Sequence, residues 1–151
     1  RLLEKYPEFE EYLVRRLSPD NHNICIYQMN MPVIDSEEKL WLYFDNESAG
    51  VGVYPYVLCD DIGLHIDAVS GYIDSIINEE VLLIKYYKTK EAYSEGNAEK
   101  YEWASPPKSG QAEELQSKLV KKSSGLAGLF NKYAYIESFS FKGTYSFTVA
   151  F

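Results

Sequence analysis

Residues 62–87 read IGLHIDAVSGYIDSIINEEVLLIKYY, and this stretch contains the clearest periodicity in the chain. Isoleucine or valine recurs at positions 62, 66, 69, 73 and 76, with spacings of 4, 3, 4 and 3 residues. Such spacing lines one face of a helix, so we predict an amphipathic helix over 62–78. Asp60 or Asp61 is suited to cap its first turn. The apolar run 81–87 that follows predicts a strand at the centre of a sheet.

Upstream of this stretch, the sequence predicts one helix and three strands. Pro7 suits the first turn of a helix over 7–17, which has an apolar stripe at helical spacing. Apolar or aromatic runs predict strands at 24–29, 39–44 and 51–58, and Pro55 indicates an edge position or a bulge in the third. The polar stretch 45–50 is then expected to be a hairpin loop.

Downstream, residues 89–110 are polar and contain glycine and proline, which predicts a loop 22 residues long. A loop of that length in a compact domain is either mobile or functional. Residues 111–122 predict a helix with Leu115 and Leu119 facing inward, and 123–131 predict a loose connection.

The chain ends in a predicted hairpin with two candidate registers for its aromatic face, which consists of Tyr145, Phe147, Val149 and Phe151. A two-residue turn at 142–143 pairs that face with Ala134, Ile136, Ser138 and Ser140. A three-residue loop at 141–143 pairs it instead with Tyr133, Tyr135, Glu137 and Phe139. We predict the second register, because it separates large apolar from small polar residues and places Gly143 where a left-handed residue is needed. It leaves Phe141 exposed.

The element order is helix, three strands, helix, strand, helix and two strands, without alternating βαβ units. We therefore predict a single α+β domain over 1–151, with a mainly antiparallel sheet of five to six strands packed with two to three helices.

Composition excludes several classes of protein. The chain has 151 residues with a formal net charge of −8, which argues against binding to nucleic acid. No apolar stretch is long enough to span a membrane, and charge interrupts residues 1–4 where a signal peptide would be apolar. Cys25 and Cys59 lie in apolar runs, as expected of buried thiols in a reducing compartment, so we expect a cytoplasmic protein.

The distribution of charge is the most informative feature for function. Residues 45–84 contain eight acidic residues and neither lysine nor arginine, whereas the flanks sum to −3 and +3. Such a block is expected either to recruit a basic partner or to be an ordinary solvated face with capping aspartates. We take the first interpretation, with Asp60, Asp61, Asp67, Asp74, Glu79 and Glu80 as the partner-binding residues.

Two aromatic residues of the predicted long loop, Tyr101 and Trp103, are candidate anchors for the same partner, since Tyr and Trp are enriched at interface hot spots. The alternative is that the loop folds them back onto the domain. A metal site near Cys59 and His65 is not expected, because the only other histidine is His22 and no cysteine pair has zinc-site spacing. Enzyme motifs are absent, so we expect neither catalysis nor a cofactor.

Two segments resemble a known type of protein: one runs from Leu64–Val69 through Asp74–Val81, and the other is the hairpin Ser138–Tyr145. They are similar to the helix-then-strand unit and the terminal hairpin of small immunity proteins, which are encoded beside bacterial polymorphic toxins. The resemblance covers about a fifth of the chain, and some members of this type have Trp at the position of Phe139. It implies a stoichiometric inhibitor of a secreted toxin, with a basic nuclease as one candidate target.

Two other functions remain open. A small ligand could bind between the sheet and the 89–110 loop, or the chain could be a structural adaptor. In the latter case, Phe141 and 126–130 are the candidate apolar contacts.

Overall fold

The computed structural model describes residues 1–20, 24–63, 65–124 and 132–151. The chain forms two compact units, Arg1–Ser75 and Ile76–Phe151. The first unit contains a five-stranded sheet and the second a four-stranded sheet, both antiparallel. The α+β class is thus confirmed, but the single predicted sheet is two sheets. That 1–151 is one domain stays a prediction.

The first unit begins with two short helices, α1 (Leu2–Lys5) and a 3-10 helix (Pro7–Tyr12). Five strands follow and pair in sequence order: β1 (Leu13–Leu17), β2 (Cys25–Pro32), β3 (Lys39–Phe44), β4 (Ser48–Val53) and β5 (Tyr56–Gly63). Met29, Leu42 and Val51 are register partners across β2, β3 and β4, and each is fully buried. The alternation of these strands therefore directs one face of the sheet into a core.

The second unit is built around β6 (Leu82–Tyr87), which lies between β7 (Lys100–Ala104) and β8 (Tyr135–Phe139), as predicted for a central strand. β9 (Phe147–Ala150) completes the sheet, whose order is β7-β6-β8-β9. All six residues of β6 are buried.

The described residues contain three further helices: α2 (Ile66–Ile77), α3 (Lys90–Ser94) and α4 (Ala112–Ser124). In α4, Leu115 and Leu119 are buried in a cluster with β6 and β8 residues, which confirms the predicted inward face of this helix. Because Leu115 and Leu119 are four residues apart, they lie on the same side of α4.

The predicted helix over 7–17 is wrong beyond Tyr12. Residues 13–17 form β1, in which each residue has a register partner in β2, from Leu13 opposite Met29 to Leu17 opposite Cys25. Pairing with β2 gives this segment an alternative to a helix, so the apolar stripe did not decide between the two.

The predicted strand 51–58 and hairpin loop 45–50 are also corrected. The chain turns at Tyr54 and Pro55, so this run contributes to both β4 and β5, and the earlier hairpin loop is only 45–47. Proline lacks a backbone donor, which a turn tolerates and a central strand does not.

The predicted helix over 62–78 begins later, at Ile66, and ends at Ile77. Ile62 belongs to β5, and so do Asp60 and Asp61, which therefore do not cap the helix. Within α2, the predicted buried stripe is confirmed, since Val69, Ile73 and Ile76 are all buried.

The predicted 22-residue loop is wrong as well, because 89–110 contains α3 and β7. The side chain of Thr89 accepts a hydrogen bond from the Ala92 amide and caps α3. The predicted connection 123–131 begins inside α4, and its residues 125–131 lie outside the described part of the chain, as does the candidate apolar contact 126–130.

The terminal hairpin adopts the register that the sequence analysis rejected. Ile136 lies opposite Val149 and Ser138 opposite Phe147. The sorting of large from small side chains failed because Ser138 and Ser140 are themselves buried, at 2% exposure each. The expected left-handed backbone is confirmed at Gly143, where φ is 82°, whereas Phe141 is half-buried rather than exposed.

Candidate functional site

Asp60 and Asp61 lie at an irregularity of β5. Ala49 of β4 is paired with Ile62 and Val51 with Cys59, so two residues of β5 face the single residue Gly50. This is a β-bulge, and Asp61 within it has a left-handed φ of 53°. Both carboxylates are exposed, whereas regular alternation would direct consecutive side chains to opposite faces.

Asp67 lies in the first turn of α2 and is also exposed. A carboxylate at this position interacts favourably with the positive end of the helix dipole. Within the described residues, Asp60, Asp61 and Asp67 form no side-chain hydrogen bond and no ion pair. These three carboxylates are therefore available to a partner.

Tyr72 is an exposed aromatic residue that contacts Cys59, beside the bulge, and the sequence analysis missed it. It is 37% exposed on α2, and a hydrogen bond with the thiol of Cys59, the neighbour of Asp60, raises the pKa of its hydroxyl. The sequence could have indicated it, because Tyr72 lies outside the buried isoleucine and valine positions of α2 and is therefore expected to be exposed. We call Asp60, Asp61, Asp67 and Tyr72 the acidic surface.

Asp74 has a different environment from the other aspartates. Its carboxylate accepts hydrogen bonds from Lys5 Nζ at 2.5 Å and from the Tyr6 hydroxyl at 2.5 Å. The hydrogen bond from Lys5, and then that from Tyr6, lower the pKa of Asp74. The block 45–84 contains no cation of its own, but Lys5 supplies one from outside it, so Asp74 is already neutralised within the first unit.

Glu79 is buried, at 7% exposure, and is not part of an exposed surface. One carboxylate oxygen accepts the backbone N–H groups of Lys142 at 2.9 Å and Thr144 at 3.2 Å. Burial raises the pKa of Glu79, but hydrogen bonds from Ser140, Thr144 and these amides outweigh it, so the pKa lies below its ordinary value. This residue holds the turn of the terminal hairpin, whereas Glu80 is exposed.

The two predicted aromatic anchors lie on a strand instead of a loop. Tyr101 is 43% exposed and Trp103 is half-buried, and as alternate residues of β7 they share one face of the second sheet. Their register partners in β6 are Lys85 and Leu83. Because β7 is an edge strand, both aromatic residues lie at the margin of that sheet.

The predicted site residues thus fall into two groups. Asp60, Asp61, Asp67 and Asp74 belong to the first unit, whereas Glu79, Glu80, Tyr101 and Trp103 belong to the second. The charge follows the same division. The first unit has 14 acidic and 5 basic residues, a formal charge of −9, and the second has 9 acidic and 10 basic residues, a charge of +1.

In the described part of the chain, no three His, Cys, Asp or Glu side chains are arranged so that they could hold a metal ion. None of the described helices has the length and apolar character needed to cross a membrane. His65 is exposed.

Comparison of the chain with protein-family models, with curated proteins and with solved structures finds no match.

Proposed function

We propose that this protein is a non-enzymatic binding module that recognises a basic protein through its acidic surface. The observation that carries the proposal is the set of three exposed carboxylates, Asp60, Asp61 and Asp67, that have no partner among the described residues. These carboxylates belong to a unit with a formal charge of −9. The electric field of such a unit accelerates its encounter with a positively charged partner.

The local geometry favours recognition in addition to attraction over distance. The bulge at Asp60 and Asp61 points two consecutive carboxylates outward, and bulges of this kind often redirect side chains beside functional sites. Asp61 has an uncommon left-handed backbone, which fixes the direction of its side chain at an energetic cost. Tyr72 offers the large, rigid contact area that is typical of interface hot spots.

A protein is the favoured class of partner. Nucleic acid is disfavoured because phosphates would be repelled by the negative charge of the first unit. We propose a toxin as the partner, a basic nuclease being one candidate, and a cytoplasmic place of action. The support for this finer assignment is the likeness of Leu64–Val69, Asp74–Val81 and Ser138–Tyr145 to bacterial immunity proteins, together with the charge.

Affinity capture with the protein and two triple variants tests this proposal. The first variant is D60K/D61N/D67K, in which asparagine at position 61 tolerates the left-handed backbone better than lysine. The matched control is E8K/E10K/E11Q, which alters exposed acids of the 3-10 helix and changes the net charge equally. We expect the original and the control to retain the same basic protein and the first variant to lose it.

Recovery of that partner by all three proteins would refute the role of the acidic surface. If both variants fail equally to retain the partner, binding depends on net charge and not on the acidic surface. For the captured protein, a further assay measures its toxic activity with and without one equivalent of the chain. Undiminished activity would refute the inhibitor function while leaving binding intact.

A further inference from the structure

The first sheet has a second edge, β1, opposite β5, and half of the backbone groups of β1 point away from this sheet. Among the described strands, β1 pairs only with β2, and the Ser18 N–H donates to the Ile24 carbonyl at 2.9 Å in the same register. Hydrogen bonds alternate along an antiparallel pair, so Val14 and Arg16 direct their N–H and C=O groups to β2. Those of Leu13, Arg15 and Leu17 therefore face outward, and no described residue pairs with them.

The side chains of this edge are unusually exposed for a strand. Val14 is 59% and Leu17 is 53% exposed, and Arg15 and Arg16 between them are exposed as well. Because side chains alternate, Arg15 lies on one face of the sheet and Arg16 on the other. On each face of the sheet, an added strand would thus meet one arginine and one apolar side chain: Arg15 with Leu17 on one face, and Arg16 with Val14 on the other.

The charge of these residues identifies the chemistry of the occupant. Arg15 and Arg16 are the only consecutive basic residues in a unit of charge −9. A hydrogen bond from the Arg15 guanidinium to the Cys25 thiol of β2, at 3.1 Å, holds its side chain against the face of the sheet, where it remains exposed. Opposite charges on directly facing residues stabilise a strand pair, and like charges destabilise it.

We propose that β1 binds an extended acidic segment of another protein, which adds to the first sheet as a sixth, antiparallel strand. Main-chain hydrogen bonds to Leu13, Arg15 and Leu17 provide the affinity, and carboxylates facing Arg15 and Arg16 provide the selectivity. This surface is independent of the acidic surface, since β1 and β5 are opposite edges of the sheet.

A second copy of the chain fits this edge less well. Pairing two copies of β1 antiparallel would bring the arginine pairs together. Pairing β1 with β5 of another copy would meet the bulge at Asp60 and Asp61, which interrupts regular ladder hydrogen bonds.

The test uses the isotope-labelled full chain and a capped peptide of sequence Thr-Val-Glu-Glu-Val-Thr at up to millimolar concentration. We expect the peptide to slow hydrogen exchange at the amides of Leu13, Arg15 and Leu17. R15E/R16E should weaken binding about tenfold or more, because two favourable cross-strand pairs become repulsive. The same variant should bind a peptide with two lysines in place of the two glutamates, which also shows that the variant is folded.

A backbone variant separates strand addition from simple charge attraction. Leu17→Pro removes one outward N–H without taking a hydrogen bond from β2, and Leu17→Thr is its matched control. Weaker binding by the proline variant alone supports strand addition. Three results would each overturn the proposal. They are unchanged exchange at the three amides in the presence of the glutamate peptide, equal binding of the glutamate and lysine peptides by the protein, and self-association of the chain through β1.

Discussion

At the scale of single residues, Glu79 illustrates how an acidic residue that looked like a surface feature is used inside the fold. It has a left-handed φ of 58° just after α2, and its carboxylate accepts hydrogen bonds from two backbone amides of the terminal hairpin. Hydrogen bonds from amides to a carboxylate are stronger than those between neutral groups. The sequence did not distinguish this glutamate from Glu80, because its partners lie more than 60 residues away.

Replacing Glu79 by glutamine should destabilise the protein by about 1–3 kcal/mol at neutral pH, because the two amides lose a charged acceptor while a neutral one remains. Chemical denaturation measures this difference. Glu113→Gln, at an exposed position of α4, is the control, and we expect it to change stability by about 0.5 kcal/mol or less.

The stabilisation that Glu79 provides should depend on pH. Its pKa in the folded protein is lower than its ordinary value of 4.5, so the unfolded chain takes up the proton first as the pH falls. The contribution is therefore complete above the ordinary pKa and is lost as the pH falls through the folded one. Denaturation of the protein and of Glu79→Gln should converge in acid, and a constant difference at every pH would contradict this account.

At the scale of elements, α2 contains a glycine that its own packing does not require. Gly71 is exposed in the middle of the helix, and an added Cβ would have no atom within 4 Å. Gly71→Ala should therefore stabilise the protein by about 1 kcal/mol, the difference in helix propensity. Gly52→Ala is the contrasting variant, because its Cβ would lie 2.2 Å from the Tyr56 carbonyl oxygen, and it should destabilise. Thermal unfolding of both variants tests the pair of expectations.

The N-terminal segment is attached to α2 by Asp74. The Tyr6 hydroxyl donates to Asp74 and also to the Ser70 carbonyl, and the Tyr6 ring stacks on Phe9 with 4.8 Å between centroids. Asp74→Ala should lower the free energy of unfolding by about 1–2 kcal/mol, because Lys5 and Tyr6 both lose the carboxylate that accepts their hydrogen bonds. Hydrogen exchange should then be faster over residues 2–6 than in the protein itself, and unchanged exchange would show that this attachment is not needed.

The elements that the sequence predicted correctly are those whose signal is local. The core strand β6, the strand 39–44 and the inward face of α4 follow from runs and spacings within one element. The wrong predictions concern segments whose structure depends on contacts with residues distant in sequence. Residues 13–17 became a strand because β2 pairs with them, and the hairpin register depended on the burial of Ser138 and Ser140.

The candidate site was predicted in part for the same reason. Asp60, Asp61 and Asp67 are exposed, as the charge block indicated, although Asp60 and Asp61 are placed by a bulge and not by a helix cap. Asp74 and Glu79 look identical to them in sequence, but each has partners within the fold. Tyr72 was overlooked because its contact with Cys59 joins a helix to a strand.

At the scale of the whole molecule, charge is divided unequally between the two compact units. The whole net negative charge belongs to Arg1–Ser75, whereas in Ile76–Phe151 ten lysines slightly outnumber nine glutamates. Because long-range attraction follows charge, we propose that the first unit recognises the basic partner.

The most direct test of this central claim is the association rate constant of the captured basic partner at low and at high salt. We expect the rate constant of the protein to fall steeply as salt is added, because exposed carboxylates steer the encounter. D60K/D61N/D67K should associate at least about tenfold more slowly at low salt, with little further dependence on salt. E8K/E10K/E11Q reduces the negative charge of the first unit equally but leaves the acidic surface intact, so it should slow association less. Equal rates for all three proteins at both salt concentrations would contradict the account.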